Sequence, residues 1–303
     1  MPTRREFLAD AAAASAWLGA SLIAPPGLLA AAKSSVPDVA VATNGKIHTM
    51  VRKAVEMLGG MGAFVSKGDI VVVKPNIGWD RAPKYAADTN PWVVAEIVKM
   101  CLEAGAKKVK VFDRPCDAPA PCYKSSGIEE AATKAGAEVS HTVSSGFVSM
   151  KFPKGQALKS WPMYKPAIEA DVLINVPIAK HHGTTGLSLG MKNLMGIMGK
   201  NRGTLHLNIH RKLADAGAFV KPALTIIDAV RILKDNGPQG GDLDDVLWKG
   251  TIIAGTRLAT VDAYAVTLFG QEPADQKFLV YGKEAGLGEI DLQKVWIKKV
   301  ALG

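Results

Sequence analysis

The chain has 303 residues, of which 48% are hydrophobic and 21% charged, the composition of a globular protein with ample material for a core. Its formal net charge of +9 suits anionic partners such as small anions, anionic lipid or nucleic acid. The lysines form no basic run of about five or more, and aromatic residues make up only 6% of the chain, so we exclude nucleic acid as the expected partner.

The first part of the chain carries the pattern of an export signal. Arg4 and Arg5 are followed by an alanine-rich apolar stretch, a Pro-Pro-Gly break and three alanines that end at Ala32. We therefore predict a twin-arginine signal peptide at 1–32, a mature α/β domain at 33–303, the twin-arginine export machinery as a partner and the periplasm as the location. A retained anchor is the alternative, although the interrupted run is short for a span of about 20 apolar residues. No later segment is apolar enough to cross a membrane, so no stable span is expected after cleavage.

Short β-branched runs alternate with helical patterns through the mature chain. The run at 69–74 is almost uniformly apolar, as in a buried parallel strand. The alternation predicts an α/β fold, with a mainly parallel β-sheet and helices on both faces, in a single compact unit that could have two lobes. In chain order we predict strands 39–43 and 69–74, helix 91–104, strand 108–113, helix 128–135, strands 137–142 and 171–176, helices 187–198 and 205–219, strands 224–228 and 250–255, helix 260–269 and strand 295–300.

Polar side chains follow several of the predicted strands. Because open α/β sheets bind ligands beyond the carboxyl ends of their strands, these side chains are the candidates for a site. The sequence places the following residues there: Lys74 and Asn76, Asp113 and Arg114, Lys180 with His181 and His182, and Asp228.

The segment 180–196 is the richest in candidate residues. A buried strand runs into a Gly/Thr/Ser turn and then into a predicted helix that bears Lys192 and Asn193. Backbone amides at a helix start bind anions, and a lysine one or two turns further on can add a charge. The segment has neither a Walker loop nor a dinucleotide fingerprint. We predict an anion or cofactor site from Lys74, Asn76, Lys180, Gly186, Lys192 and Asn193; alternatively, the glycines only permit close helix packing.

Three residues are candidates for catalysis, namely Lys192, Asp80 and Arg114. Asp80 or Asp113 could act as a base, and Arg81 or Arg114 could hold a carboxylate or phosphate. Asp80 and Arg81 could equally form an ion pair within a loop. No nucleophile elbow and no Ser-His-Asp signature is recognisable.

Four of the six histidines are close in sequence: His181, His182, His206 and His210. If 205–219 is a helix, His206 and His210 share one face of it, and a histidine from the preceding strand could complete a transition-metal site. Surface or hydrogen-bonded histidines are the alternative. The cofactor itself is not identified by the sequence.

The three cysteines do not form a ligand set, because no CxxC pattern occurs. Cys101 falls in an amphipathic helical run and is predicted to be a buried core thiol. Cys116 and Cys122 flank a proline-rich stretch, and they either form a small-loop disulfide or remain unpaired.

Several of these elements together resemble the domain of unknown function 362 family, over nearly the whole mature chain. The resemblance rests on 74–76 (Lys-Pro-Asn) at a strand end, 192–196 (Lys-Asn-Leu-Met-Gly) after a histidine-bearing strand, 236–238 (Asn-Gly-Pro) and the closing segment 260–270. Many members carry a fused ferredoxin-type module. This chain has no cysteine cluster, so no iron–sulfur cluster is expected.

A more distant resemblance is to the N-terminal domain of the nickel-pincer lactate racemases. Those proteins place histidines before a glycine-rich segment with a lysine that holds the cofactor. By this resemblance Lys192 is the attachment or anion-binding lysine, and His181 or His182 is a metal or proton-transfer residue. The corresponding segment of this sequence is 186–192 (Gly-Leu-Ser-Leu-Gly-Met-Lys).

Two functional hypotheses follow from the sequence. The first is an exported enzyme that acts on a small anionic molecule and uses a metal or another cofactor. The second is a periplasmic protein that binds or assembles an anionic ligand or metal without turnover. Both use the same residues, so the sequence leaves the choice open.

Overall fold

A mixed sheet of ten strands runs through residues 35–303, the part of the chain that this computed structural model describes. The predicted signal peptide lies outside the described residues. Two further strands form a separate hairpin. The strands are β1 (Val39–Thr43), β2 (Ile70–Pro75), β3 (Lys108–Val111), β4 (Glu138–Val139), β5 (Phe147–Lys151), β6 (Ser160–Tyr164), β7 (Val172–Val176), β8 (Ile178–His182), β9 (Gly186–Ser188), β10 (Leu224–Leu233), β11 (Val246–Gly255) and β12 (Ile297–Ala301).

Helices connect most of these strands and cover the sheet. Among residues 35–303, no helix is both long enough and apolar enough to span a bilayer. The helices are α1 (Ile47–Glu56), α2 (Pro91–Glu103), α3 (Pro119–Ser125), α4 (Ile128–Lys134), α5 (Lys165–Ile168), α6 (Gly190–Asn193), α7 (Ile209–Val220), α8 (Leu258–Thr267) and α9 (Lys277–Glu284).

The order of strands across the sheet is β12-β1-β11-β10-β7-β2-β3-β4, with β8 beside β10 and β9 beside β8. The pairs from β10 through β7, β2 and β3 to β4 are all parallel. Strand β11 is antiparallel to both of its neighbours, and β12 is parallel to β1. The predicted mainly parallel α/β architecture is therefore confirmed.

Each face of the sheet carries its own apolar core. On β2, Val71 and Val73 belong to one buried cluster and Val72 belongs to the cluster on the opposite face, because successive strand side chains point to opposite sides. Helix α1 contributes Met50 to the first cluster, and α7 contributes Leu213 to the second. Burial on both faces explains why the central strands read as continuous apolar runs.

The structure corrects the predicted helix over 187–198. Gly186, with φ 74°, begins a return strand, and β9 pairs antiparallel with β8. Only α6 and the following 3-10 turn, Leu194–Ile197, are helical. Strand pairing satisfies the backbone hydrogen-bonding groups at the start of this segment, so the helix begins later than predicted. The sequence pattern alone does not reveal this pairing.

The helix predicted over 205–219 also differs at its start. The segment Arg202–His206 forms a 3-10 turn, and Asn208 adopts a left-handed conformation with φ 57° before α7 begins. The expectation that His206 and His210 share one helix face is therefore wrong. The strand predicted at 137–142 is also shorter, since β4 has two residues.

The cysteines are free thiols in the described structure. Cys101 is buried in α2, as predicted. Cys122 is buried in α3, whereas Cys116 is exposed and not bonded to it, so the unpaired alternative applies in this structure.

Candidate functional site

A cavity of about 530 Å³ opens where β2 and β3 end, against β8, β9 and α6. This is the carboxyl edge of the parallel strands, where the sequence predicts the site. We call it the strand-end cleft. It is lined by Asn76, Gly78, Trp79, Asp113, Arg114, Pro115, Cys116, Lys180, His182, Ser188, Lys192, Asn193, Met195, Gly196, Asn201, Arg202, Gly203, His206 and Pro238.

Lys74 lies directly beneath this cleft and is fully buried. Its ammonium Nζ is 2.8 Å from Asp113 Oδ1, 3.0 Å from Asn193 Oδ1 and 2.6 Å from the carbonyl oxygen of Pro75. Burial lowers the pKa of Lys74, and the Asp113 carboxylate opposes that shift. All three ammonium protons have acceptors, so Lys74 supports the floor of the cleft and has none left for a ligand.

Asn193 ties this floor together. Its Nδ2 donates to the Lys74 carbonyl oxygen at 3.2 Å and to Asn175 Oδ1 at 2.9 Å, while its Oδ1 accepts from Lys74. Asn76 Nδ2 also donates to Asn193 Oδ1, at 3.3 Å. The side-chain amide therefore has one orientation that satisfies the network.

The structure shows why the Lys-Asn-x-x-Gly pattern ends with a glycine, Gly196. A Cβ at this position would lie 1.7 Å from Asp113 Oδ1 and 2.6 Å from Lys74 Nζ. Glycine is needed because the chain passes directly over the buried ion pair. Within the pattern, Asn193 and Gly196 build the floor and leave Lys192 to face the cleft.

Lys180 forms a second buried cationic centre. Its Nζ donates to Asn76 Oδ1 at 2.8 Å and to the carbonyl oxygen of Ala87. Burial lowers its pKa, while Asp88 raises it. Asp88 Oδ1 accepts from two backbone amides, and its Oδ2 is buried without a hydrogen-bond partner among residues 35–303. Burial raises the pKa of Asp88, while the charge of Lys180 lowers it.

Lys192 differs from both of these lysines. It is half-buried on the wall of the cleft, and no hydrogen bond or ion pair within residues 35–303 engages its Nζ. Burial lowers its pKa to about 8, with Lys180 and Arg202 acting in the same direction and Cys116 against it. Lys192 is therefore a free cation that can lose its proton close to physiological pH.

Two arginines hold each other's loops at one end of the cleft. Arg202 Nη1 donates to the Arg114 carbonyl oxygen at 2.7 Å, and Arg202 Nη2 donates to that of Pro115. Arg114 Nη1 in turn donates to the carbonyl oxygens of Met198 and Lys200, at 3.0 and 2.9 Å. Arg114 was predicted from its place after a strand. Arg202 was missed, because nothing in the local sequence distinguishes it from a surface arginine.

His182 and His206 face each other across the cleft, with ring centroids 5.9 Å apart. Lys180 and His182 are two residues apart on β8 and both line the cleft, while His181 points the other way, as strand geometry requires. His182 Nδ1 accepts from the amides of Thr184 and Thr185, at 3.1 and 3.3 Å. Burial lowers its pKa to about 3, so His182 is neutral and carries its proton on Nε2.

The other predicted metal ligands lie outside this pair. His181 Nδ1 accepts from the Gly237 amide at 3.1 Å, and His210 Nδ1 is buried with no hydrogen-bond partner in the part of the chain that the structure describes. No group of three or more His, Cys, Asp or Glu side chains suited to a metal occurs in the described part of the chain. With His181 and His182 accepting amide protons, the four histidines do not fit a single transition-metal site in this arrangement.

The start of α6 does not offer free amides to an anion. Asp262, on α8, accepts from the backbone amides of Gly190 and Met191 at 2.7 and 2.9 Å. Its carboxyl is fully buried, and burial raises its pKa to about 7 in spite of these two amides. The expected anion contact at this helix start is therefore replaced by a carboxylate of the chain itself.

Besides His181 and His210, two further predicted site residues lie away from the strand-end cleft. Asp80 borders a separate cavity of about 450 Å³ with Arg81 and Tyr85. Gly186 has φ 74° and forms the turn into β9, so it is needed for backbone geometry. The cleft thus brings together Asn76, Arg114, Lys180, His182, Lys192, Asn193 and His206 from the predicted set.

A protein family and a known protein are each similar to most of this chain. A family model described as "Domain of unknown function (DUF362)" matches residues 71–267. The thylakoid-associated protein sll1697 of Synechocystis sp. (strain ATCC 27184 / PCC 6803 / Kazusa) is 27% identical over 256 residues, which are 80% of this chain and 76% of that protein.

One solved structure to which the chain shows similarity is the lactate racemase apoprotein from Thermoanaerobacterium thermosaccharolyticum. It superposes with a TM-score of 0.44 and 17% sequence identity. The match covers 71% of this chain and 53% of the racemase, so the chain spans about half the length of that protein.

Proposed function

The chain belongs to the DUF362 family, and on this basis we propose that its strand-end cleft binds a small anionic molecule and that Lys192 exchanges a proton with this ligand. The family model spans residues 71–267, which include every residue lining the cleft. The observation that carries the proposal is the free ammonium group of Lys192. It lies in a cleft whose other lysine already has acceptors.

The charge of the cleft supports an anionic ligand. Arg114, Arg202 and Lys192 line it, and none of them forms an ion pair with a carboxylate within residues 35–303. Asp113, which also lines it, is neutralised by Lys74. Unpaired cations in a partly enclosed cleft attract anions strongly, because the low dielectric of the walls reduces screening.

The acid–base properties support proton transfer. A lysine with a pKa of about 8 is populated in both protonation states near neutral pH, as a general base or acid requires. Neutral His182 can donate a hydrogen bond from Nε2 without adding charge. Lys192 would therefore move the proton, and the arginines would hold the anionic group.

Binding without turnover is the second candidate function. It is favoured by Asp113, the carboxylate that lines the cleft. Asp113 already accepts hydrogen bonds from Lys74, from the Ile77 amide and from the Arg114 amide. This carboxylate is therefore poorly placed to act as a second acid–base group.

Calorimetric titration with inorganic phosphate, sulfate and acetate tests the binding step. We expect at least one of these anions to bind, and Lys192→Met to weaken binding by about tenfold or more, the scale expected for a lost charge-assisted contact. Lys154→Met is the matched control, because Lys154 is an exposed cation in the turn between β5 and β6 and does not line the cleft. Equal effects of the two substitutions would contradict the proposal.

Proton exchange tests the catalytic step. In D₂O, small carboxylates and phosphate esters that have a C–H group next to a carbonyl should exchange that hydrogen for deuterium in the presence of the protein, as followed by NMR. Lys192→Met should abolish this exchange, and Lys154→Met should leave it unchanged. Binding with no exchange across the panel would favour the second candidate.

We also propose that residues 1–32 direct the chain to the periplasm through the twin-arginine machinery. The support is the order of the arginine pair, the apolar stretch and the small residues before Ala32. Arg4→Lys with Arg5→Lys should retain the protein in the cytoplasmic fraction of cells, and Lys33→Arg should not. Export that is unaffected by the double substitution would refute this assignment.

A further inference from the structure

The two arginines of the cleft are held in a way that concentrates positive charge. Arg202 anchors the turn that carries Arg114, and Arg114 anchors the loop that precedes Arg202. Each guanidinium is thus fixed by backbone carbonyls of the other's segment, so both remain at one end of the cleft. Fixed guanidinium groups lose little entropy when they bind a ligand.

Neither guanidinium is fully used by these contacts. Arg114 makes both of its carbonyl contacts through Nη1, and Arg202 makes its contacts through Nη1 and Nη2. No hydrogen bond within residues 35–303 engages Arg114 Nε, Arg114 Nη2 or Arg202 Nε. These nitrogen atoms are also absent from the buried polar atoms that lack a partner, so solvent or a ligand can reach them.

Lys192 lines the same cleft, and no ion pair within residues 35–303 engages it. In addition to burial, the positive charge of Arg202 lowers the pKa of both Lys192 and Arg114. Three cations therefore share the lining of one cleft. A ligand with a single negative charge would leave most of this positive charge uncompensated.

We infer that the ligand of the strand-end cleft is a phosphate monoester, whose dianionic group lies between Arg202, Arg114 and Lys192. This inference rests on the proposed function and names its ligand class. A phosphate monoester carries close to two charges on one compact group at neutral pH and offers three acceptor oxygens. Guanidinium groups match that geometry, and a dicarboxylate would instead spread its charges along a carbon chain.

The rest of the cleft suits the organic part of such an ester. A cavity of about 530 Å³ is much larger than a phosphate ion and falls within the range of small-molecule sites. Trp79, Met195 and Pro238 supply apolar surface to the lining. Free phosphate would leave this surface in contact with water.

Calorimetric titration at pH 7.5 with phenyl phosphate, its methyl diester and benzoate tests the inference. These probes share an aromatic group, and they carry a dianionic phosphate, a monoanionic phosphate and a carboxylate, respectively. We expect phenyl phosphate to bind at least about tenfold more tightly than the other two, on the scale of one lost charge-assisted contact.

Variants then assign the discrimination to Arg202. Arg202→Met should reduce the preference for the monoester to less than about threefold, and Arg202→Lys should retain part of it because the charge remains. Lys154→Met, which removes an exposed cation outside the cleft, should leave the preference unchanged. A preserved preference in Arg202→Met would overturn the role of Arg202, and thermal unfolding of each variant shows whether the loop has collapsed instead.

The outcomes separate this inference from the proposed function. If benzoate or the diester binds as tightly as phenyl phosphate, the phosphate monoester is wrong and anion binding stands. If none of the three probes and none of the simple anions binds, both proposals are wrong.

Discussion

Lys74 and Asp113 form an ion pair of 2.8 Å beneath the cleft, in which neither side chain is more than 2% exposed. Lys74 is the penultimate residue of β2 and Asp113 follows β3, so the pair joins two neighbouring parallel strands at their carboxyl edge. Two backbone amides also donate to Asp113, from Ile77 and Arg114. The ion pair therefore has a structural role, because it holds together the two strand ends from which the cleft residues follow.

Breaking this buried pair should be costly. Asp113→Asn leaves the Lys74 ammonium buried without its counter-charge, and we expect a loss of about 3 kcal/mol or more in the free energy of unfolding. Lys108→Met is the control, because its partner Glu138 and Lys108 are both about half exposed and such pairs contribute little. Urea denaturation of the two variants measures the difference, and equal losses would contradict the prediction.

Gly196 should not tolerate a side chain. In Gly196→Ala the new Cβ would lie 1.7 Å from Asp113 Oδ1, so either the ion pair or the backbone must move. We expect a loss of about 3 kcal/mol. Gly183→Ala is the matched control, since a Cβ there meets no atom within 4 Å. A Gly196→Ala variant as stable as Gly183→Ala would show that the floor of the cleft is more adaptable than described.

We predict that Lys192 lowers the free energy of unfolding, although it strengthens anion binding. Because burial lowers its pKa to about 8, below the unfolded value of about 10.4, the folded state carries a cost at pH 7 where the ammonium is charged in both states. Lys192→Met should therefore raise the free energy of unfolding, by about 2 kcal/mol, and weaken anion binding.

The pH dependence of this effect has a definite sign. The cost begins to fall as pH rises through 8, and it disappears above the unfolded pKa of about 10.4. The stability advantage of Lys192→Met should thus be smaller at pH 9.5 than at pH 7, as measured by urea denaturation. An advantage that grows with pH, or a destabilised variant at pH 7, would show that Lys192 has a partner in the folded protein.

The histidines should not retain a stoichiometric metal. His182 and His181 each accept amide protons at Nδ1, and His210 lies away from the cleft. Elemental analysis of the purified protein should therefore find no metal at one equivalent, and EDTA should leave the melting temperature unchanged. A stoichiometric metal that is lost in His206→Ala would overturn this prediction and revive the metal-site hypothesis.

The sequence by itself determined the architecture and the edge at which the site lies. The uniform apolar run of β2 requires burial on both faces, and alternation with helices requires parallel crossovers. The polar residues after these strands, such as Asn76 and Arg114, must then meet at one edge, and the structure confirms that they line the cleft.

Only the tertiary structure decided which of the candidate side chains are free. Lys74, Lys180 and Lys192 look equivalent in sequence, yet within residues 35–303 the first two have acceptors and the third has none. The partners of the first two, Asp113, Asn76 and Ala87, come from distant segments. Asp262 closes the start of α6 across 72 residues of chain. Arg202 enters the cleft through a loop that no local pattern marks. Hydrogen-bond partners that are so far apart in the chain leave no periodic pattern in the sequence. Only the tertiary packing therefore shows which residues build the site and which face its ligand.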